Sequence, residues 1–336
     1  MVDTLLPPTG VLVNFGLFYL ASGLVYGIPM GVQPMKAASA AILIQGMTPG
    51  EVAASGLVIG LFFTLAAVTG AIGWLARMIP DVVVAGIQLG LGIALALLGV
   101  RLVEHQPVIG VVTVAVMLLT LRSHRLPAAL SGIVVAVLLA YLSGQLPAAP
   151  GLALGLHLPA LVLPTWAETM RGVEIAVLPQ IPLTLTNGIV VTSALARELF
   201  PDRPSLPNRA TVGRLSLTTG LGNLLAAPFG GYLMCHGASG LAGHFRFGAR
   251  TAAAPCIIGV LFVLLRMVPD AALGALLLFG GLELAVAARV QRFSTESGEM
   301  VTVALMAIVG IATNAAYAFV VGMLLAWGFR RGWLRW

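Results

Sequence analysis

The chain of 336 residues is 59% hydrophobic and 9% charged, with a formal net charge of +6 and a mean hydropathy of +1.02. A soluble domain carries about 25% charged residues, so this composition excludes a soluble protein. It indicates an all-α, polytopic membrane protein. The positive charge does not indicate binding to nucleic acid, because Lys36 is the only lysine and the arginines lie in short breaks between apolar stretches. Cys235 and Cys256 have the spacing of neither a disulfide framework nor a metal site.

Apolar stretches long enough to cross a membrane follow one another along almost the whole chain. A crossing helix needs about 20 mostly apolar residues. On that criterion the sequence predicts about thirteen segments, two of which are broken by Gly and Pro, at 29–45 and 232–247. A proline-containing linker, 145–171, separates two halves of the chain. The uninterrupted spans are 11–27, 51–76, 81–100, 106–121, 126–144, 172–196, 211–229, 251–265, 270–288, 299–314 and 316–329.

The two halves repeat each other. The sequence RMIPDVVVAGIQLGLGIALA begins at Arg77, and RMVPDAALGALLLFGGLELA begins at Arg266. Upstream of each, a broken segment follows one full span: YGIPMGVQPMKAASA begins at Tyr26 and GYLMCHGASGLAGH begins at Gly231. Interrupted segments at corresponding positions of two halves are the best sequence indication of the binding site of a secondary transporter.

The arginines are unevenly distributed between the two sides that alternating spans define. If the C-terminus is cytoplasmic, fourteen arginines lie on its side, and only Arg101, Arg171 and Arg266 lie on the other. Cytoplasmic loops are enriched in Lys and Arg, so this asymmetry predicts a cytoplasmic C-terminus. It also places the two Arg-Met-x-Pro-Asp turns on opposite faces, which predicts that the repeats are inverted.

The broken segments predict an anion site. Lipid cannot satisfy free backbone N–H and C=O groups, so non-helical chain at membrane depth lies inside protein or lines a wet cavity. If each segment is an extended stretch followed by a half-helix, two helix N-termini meet near the midplane, each with about half a positive charge. Lys36 adds a full charge beside the first of them. The alternative is that Lys36 only extends its amine to the membrane interface.

Three motifs resemble signature segments of the bacterial and plant molybdate transporter family, a relative of the sulfate permeases. They are GIPMGVQPMKA from Gly27, PQIPLTLTNG from Pro179 and MCHGASGLAGHFRFGART from Met234. The resemblance implies a multi-pass protein of the bacterial inner membrane, with seven plus seven inverted segments and relatives that dimerise through a gate domain. It implies tetrahedral oxyanions as substrate, molybdate first among them. The implied divisions are a core domain of 1–77 and 172–266 and a gate domain of 78–144 and 267–336.

The same motifs supply the candidates for contact with the substrate. Gln180, Thr184 and Asn187 are four and three residues apart, so one helix face carries three neutral hydrogen-bonding groups. The alternatives are interhelical hydrogen bonds for these three, a helix break at Gln33, a buried imidazole at His236 and close helix packing by the small residues. The candidates are Gln33, Pro34, Met35, Lys36, Gln180, Thr184, Asn187, His236, Gly237, Ala238, Ser239 and Gly240.

Two carboxylates are candidates for proton coupling. Glu174 lies six residues before Gln180, and Glu283 lies within the apolar run LLLFGGLELAV. Ionisable residues inside membrane spans often belong to proton relays. Glu283 is the weaker candidate, because the resemblance places it in the gate domain.

Several functions are compatible with such a chain. A secondary active importer of molybdate is favoured, with sulfate as the alternative substrate and a passive anion channel as the alternative mechanism. A nucleobase symporter is disfavoured, because the segment CHGASG offers no carboxylate for base recognition. An enzyme is disfavoured too, since the five histidines are scattered and no carboxylate pair has catalytic spacing. We expect no cofactor, no metal and no nucleic-acid partner.

The start of the chain departs from the repeat. The second half has the full span 172–196 before the span that leads to its broken segment, whereas only ten residues occupy that place in the first half. We therefore expect about thirty further residues, enough for one span, ahead of Met1 in the native gene. Translating the upstream DNA in frame checks this, and an in-frame stop codon directly before Met1 contradicts it.

Overall fold

The computed structural model describes residues 8–123, 125–144, 161–201, 209–264 and 298–331. Within these ranges two short strands, β1 (Val32–Pro34) and β2 (Met234–His236), accompany a set of helices. The helices are α1 (Pro8–Tyr26), α2 (Lys36–Ala40), α3 (Pro49–Val68), α4 (Ile72–Met78), α5 (Asp81–His105), α6 (Pro107–Thr120), α7 (Ala128–Leu142), α8 (Trp166–Leu199), α9 (Val212–Ala226), α10 (Ala238–Arg246), α11 (Ala253–Leu264), α12 (Glu299–Ala312) and α13 (Ala315–Arg330).

The helices follow the predicted spans with shifted ends. In the described part of the chain, α3, α5 and α8 are long and apolar enough to cross a membrane, and six further helices contain apolar stretches of 10–17 residues. The predicted span 51–76 is divided into α3 and α4 by a turn at residues 69–71. The predicted span 270–288 lies outside the described residues.

Helix α8 begins earlier than the predicted span 172–196, because its first turn is capped. The Thr165 side chain accepts a hydrogen bond from the backbone N–H of Glu168, whose carboxylate accepts one in return from the backbone N–H of Thr165. This capping box satisfies two N–H groups that would otherwise lack partners. Further along, Pro182 lies inside the helix between two π-helical stretches, Val173–Val177 and Thr184–Val191. Pro182 has no N–H to donate to the carbonyl group one turn earlier, so the regular helix ladder is interrupted there.

The two halves of the chain are interleaved in one helical layer. Helix α1, which precedes the first broken segment, packs against α11, which follows the second. Reciprocally, α9 precedes the second broken segment and packs against α3, which follows the first. This exchange is what two inverted repeats produce when each completes the other.

Glycines permit the close approach of these helix pairs. A Cβ atom built on Gly60 in α3 would lie 2.8 Å from the backbone nitrogen of Leu224 in α9, and one on Gly259 in α11 would lie 2.7 Å from the carbonyl oxygen of Gly16 in α1. Small residues let helix backbones approach within a membrane, where packing and not the hydrophobic effect holds helices together.

A second group of helices lies beside this layer. Helix α5 packs along α12 and α13, while α6 packs mainly on α7. The buried side chains of α5, α12 and α13 form one apolar cluster, which also includes Ala37 and Ala40 of α2 and Leu183 of α8. The broken segment and α8 therefore lie where the two groups of helices meet.

We expect Gly220→Ala to destabilise the fold by about 1–3 kcal/mol, because the added methyl group overpacks the crossing of α9 with α3. Its Cβ would lie 2.6 Å from the backbone nitrogen of Thr64. The matched control is Gly213→Ala in the same helix, where a Cβ meets nothing within 4 Å. Thermal unfolding of the purified variants in detergent measures the effect, and equal melting temperatures for the two variants would contradict the packing account.

Candidate functional site

The two broken segments pair with each other at the centre of the protein. Strands β1 and β2 are antiparallel, with Val32 opposite His236, Gln33 opposite Cys235 and Pro34 opposite Met234. The pairing joins backbone groups that lie 200 residues apart in the sequence, and it satisfies N–H and C=O groups that lipid could not. The predicted extended stretches are therefore present, as a two-stranded sheet.

Each strand is followed at once by a helix. Helix α2 begins at Lys36 and continues as a π-helical stretch, Ala41–Gly46, and α10 begins at Ala238. Because the strands are antiparallel, the two helices leave the sheet in opposite directions and their N-terminal ends face a common space. Glycine in the left-handed conformation ends the preceding helical segment in both halves, with φ of 70° at Gly27 and 68° at Gly230.

Side chains from neighbouring helices hold the strands in place. The Asn223 carboxamide in α9 donates to the carbonyl oxygen of Met234 at 2.6 Å and accepts from the backbone N–H of Met234 at 2.9 Å. The Tyr19 hydroxyl in α1 donates to the carbonyl oxygen of Val32 at 2.7 Å. Both contacts are made to backbone groups of the strands, so they would form with any side chain at Val32 or Met234.

Gln180 of α8 caps α2. Its side-chain oxygen accepts hydrogen bonds from the backbone N–H groups of Ala37, at 2.8 Å, and Ala38, at 3.3 Å. Its side-chain nitrogen donates to the Thr184 hydroxyl at 2.8 Å. Both side chains are 1% exposed. Gln180 and Thr184, predicted to contact substrate, thus have a clear role in orienting the N-terminal end of α2.

Gln33 and Ser239 join the two broken segments. The Gln33 side-chain nitrogen lies 3.0 Å from the Ser239 hydroxyl, and the Gln33 side-chain oxygen lies 3.2 Å from the same hydroxyl. The contact requires a glycine at position 237, because a Cβ there would overlap the Gln33 carboxamide. Gly31 and Gly240 also approach closely, since a Cβ on Gly31 would lie 2.8 Å from the Cα of Gly240.

A cavity of about 130 Å³ lies between the two helix ends. Pro34 and Ser239 in its wall are exposed, so the cavity communicates with the outside of the protein. The predicted residues that line it are Gln33, Pro34, Lys36, Gln180, Asn187, His236, Gly237, Ala238 and Ser239. Sequence reasoning therefore located most of the wall.

The cavity is electropositive. Among the described residues that line it, Lys36 is the charged side chain and none is a carboxylate. The N-terminal end of α10 has no side-chain cap, so the dipole and N–H groups of that end are directed to the cavity. An anion is the class of ligand that such a site stabilises.

Three of the predicted contact residues do not line the cavity. Met35 is fully buried in the main apolar cluster, Thr184 bonds Gln180, and Gly240 packs against Gly31. His236 lines the cavity, but its imidazole is 0% exposed and packs between Phe18 and Tyr26.

Of the two predicted proton-coupling carboxylates, the structure describes Glu174, which is not among the described residues that line the cavity. Glu174 is an exposed residue of α8, and its carboxylate lies near the Tyr317 hydroxyl of α13. Glu283 lies outside the described residues. A role in proton coupling stays a prediction for both.

The sequence prediction omitted four residues of the wall. Gln88 of α5 is a lone amide in an apolar helix, which is a signal that could have identified it. Cys235 lies between two predicted residues, and Leu183 and Gly188 follow from the helical spacing of Gln180 and Asn187. Asn223 was also omitted, although a single Asn in the predicted span 211–229 is the same kind of signal.

A comparison with known families agrees with this geometry. A family model described as "Molybdate transporter of MFS superfamily" matches residues 2–95 and 172–284, which together are more than half of the chain. The chain belongs to this molybdate transporter family. The matched ranges contain both broken segments, α8 from residue 172 onwards and Gln88 of α5, and these parts of the chain supply the cavity wall.

Curated molybdate transporters are similar over most of this family member. Molybdate transporter 1 of Arabidopsis thaliana is 27% identical over 94% of the chain and 80% of the relative. Molybdate transporter 2 of the same plant is 28% identical over 94% of the chain and 79% of the relative. Molybdate transporter 1 of Chlamydomonas reinhardtii is 36% identical, over 60% of the chain and 40% of the relative. These relatives confirm that this molybdate transporter family member is a transporter and not an enzyme.

Solved structures share the fold of this family member. The transmembrane domain of a cyanobacterial bicarbonate transporter, BicA, superposes with a TM-score of 0.63 and 16% identity, covering 96% of this chain and 94% of that one. SLC26A9 superposes with a TM-score of 0.60 and 11% identity, covering 96% of this chain and 63% of that one. The predicted helical transporter fold is confirmed. The bacterial inner membrane and the cytoplasmic C-terminus stay predictions.

We expect Gly237→Ala to lower the melting temperature of this molybdate transporter family member. The new methyl group would displace the Gln33 carboxamide and break its contact with Ser239. The loss of partners for these polar groups should destabilise the fold by about 1–3 kcal/mol. Gly243→Ala in the helix that follows Gly237 is the control, because a Cβ at Gly243 meets nothing within 4 Å. Thermal unfolding in detergent compares them. A melting temperature for Gly237→Ala equal to that of the control would show that the Gln33–Ser239 contact is dispensable.

Proposed function

We propose that the chain is a secondary active transporter of a tetrahedral oxyanion, and that molybdate is its substrate. The observation that carries the proposal is the electropositive cavity between the ends of α2 and α10, with Lys36 and no carboxylate among the described residues of its wall. The names of the curated relatives support molybdate in particular.

The charges at the site suit a divalent anion. A dianion that leaves water needs compensating positive charge, and two helix ends together supply about one unit. Lys36 supplies a second unit, so the site balances the two charges of molybdate. The two ends contribute differently, because the oxygen of Gln180 already occupies two N–H groups of α2 whereas α10 has no side-chain cap. Direct N–H contacts to the anion therefore come from α10, and Lys36 acts on the side of α2.

The proposed mechanism is alternating access between a core domain and a gate domain. We assign 1–77 and 172–266 to the core and 78–144 and 267–336 to the gate. The interleaved packing of α1, α3, α9 and α11 supports a core that moves as one body, and the packing of α5 with α12 and α13 supports a separate gate. The core would carry the anion past the gate, so that the site opens to one side of the membrane at a time.

Uptake into proteoliposomes tests the function. The purified protein should take up molybdate saturably and accumulate it when a gradient is imposed, and tungstate or sulfate should compete in proportion to their affinities. Comparing uptake with and without a pH gradient tests proton coupling. Uptake that neither saturates nor accumulates molybdate would favour a passive channel, and no uptake of any tetrahedral oxyanion would refute the proposal.

A disulfide between core and gate tests the mechanism. Helices α2 and α5 pack together, so a cysteine at Ala40 can be screened against cysteines at buried positions of α5. Oxidation should abolish uptake and leave molybdate binding intact, and reduction should restore uptake. Full uptake by the oxidised protein would argue against alternating access.

We expect Lys36→Gln to weaken molybdate binding at least tenfold, about 1.4 kcal/mol, because it removes a full positive charge from the cavity. Ser239→Ala should cost less, since it removes one neutral hydrogen bond worth about 1 kcal/mol. Lys36→Arg should restore binding only in part, because a planar guanidinium does not replace a compact ammonium. Calorimetry on the purified variants gives the affinities.

The control for this series is Arg125→Gln, which removes the same charge from an exposed position outside the cavity. It should bind molybdate like the unmodified protein. Unchanged affinity in Lys36→Gln would mean that the helix ends alone hold the anion and that the lysine extends to the membrane interface.

A further inference from the structure

One polar residue of the cavity wall comes from the group of helices opposite the broken segments. Gln88 lies in α5, whose buried residues cluster with those of α12 and α13. It lines the same cavity as Lys36 and Ser239, which belong to the broken segments. The cavity is therefore closed on one side by a side chain from the proposed gate.

The packing of α5 fixes the direction of Gln88. Gly86 and Gly90 lie one helical turn apart and contact α12: a Cβ on Gly86 would lie 2.6 Å from the sulfur of Met306, and one on Gly90 would lie 3.2 Å from the Cα of Ala307. Gln88 is two residues from each of them, which on a helix is the opposite face. The contact of α5 with α12 thus directs Gln88 away from α12 and to the cavity.

Gln88 presents a carboxamide to the cavity wall and has no hydrogen-bond partner among the described residues. The residue is 5% exposed, and its carboxamide is not one of the fully buried polar groups that lack a hydrogen-bond partner. A polar side chain in a cavity wall is available to bond a ligand or water. A carboxamide offers two N–H donors, which suit the acceptor oxygens of an oxyanion.

We propose that Gln88 donates a hydrogen bond to the bound oxyanion from the gate side, so that the substrate itself links gate and core in this conformation. This inference rests on the proposed function. Lys36 and the end of α10 hold the anion from the core, and the Gln88 contact exists only while α5 faces them. The bound anion therefore stabilises the closed arrangement of the two bodies, and Gln88 contributes to affinity without belonging to the domain that carries the substrate.

Calorimetry with sodium molybdate on the purified, full-length protein tests the inference. Gln88→Leu should weaken molybdate binding about tenfold, because it replaces the donor by an apolar group of similar size. Gln88→Glu should weaken it further, since it adds a negative charge beside a dianion. Gln106→Leu is the matched control: it makes the same change after the end of α5, outside the cavity, and should bind molybdate normally.

The outcomes separate the inference from the function on which it rests. If the unmodified protein binds no molybdate, tungstate or sulfate, the proposed function fails. If it binds molybdate and Gln88→Leu binds equally well, the gate-side contact is wrong and water is the partner of Gln88. Gln88→Asn keeps the amide but shortens the side chain, and it controls for a folding defect. If its melting temperature is unchanged, its affinity for molybdate should lie between those of Gln88→Leu and the unmodified protein. An Asn variant that folds and binds as tightly as the unmodified protein would also overturn the contact, because the shorter amide cannot reach the same atom.

Discussion

The structure depends on the need to satisfy backbone hydrogen bonds inside a membrane. Two segments leave the helical conformation at the centre of the protein, and each would expose N–H and C=O groups that lipid cannot bond. The pairing of β1 with β2 provides those partners, and Asn223 and Tyr19 provide further ones. Because the strands are antiparallel, the same pairing sets the two following helices end to end. The binding cavity thus results from the same strand pairing that gives the backbone N–H and C=O groups of the broken segments their hydrogen-bond partners.

The division of labour among polar residues follows from this arrangement. Some polar side chains form hydrogen bonds with the backbone or with each other and hold the broken segments in place; these are Gln180, Thr184 and Asn223. Lys36 and Gln88 have no such partners among the described residues, and both line the cavity. A polar residue whose hydrogen bonds are made within the protein stabilises it, whereas one that faces the cavity without a protein partner is available to a ligand.

The sequence predicted the fold and most of the cavity wall because both depend on patterns within short stretches of the chain. Apolar runs, paired interruptions and the lysine in the first interruption located α2, α10 and most of the wall. The strands were foreseen only as extended chain, since their partners lie far apart in sequence. The spacing of Gln180, Thr184 and Asn187 placed them on one face of α8 but could not show that Gln180 caps α2. That face contacts both the cavity and the N-terminal end of α2, and the sequence does not tell which of the two each side chain meets. Gln88 was missed because one amide among glycines and aliphatic residues resembles a packing position until the neighbouring helix is known.

The interleaving of the two halves has a consequence for biogenesis. Helix α1 packs on α11 and α3 packs on α9, and β1 has its strand partner in the second half. The first half therefore cannot complete its own packing before the second half is made, and β1 lacks its strand partner until then. Assembly of the core must follow synthesis of residues up to about α11. Neither half would be expected to survive alone in the bilayer, whereas two halves expressed as separate chains could still recombine, since it is their contact and not the covalent link that completes the fold.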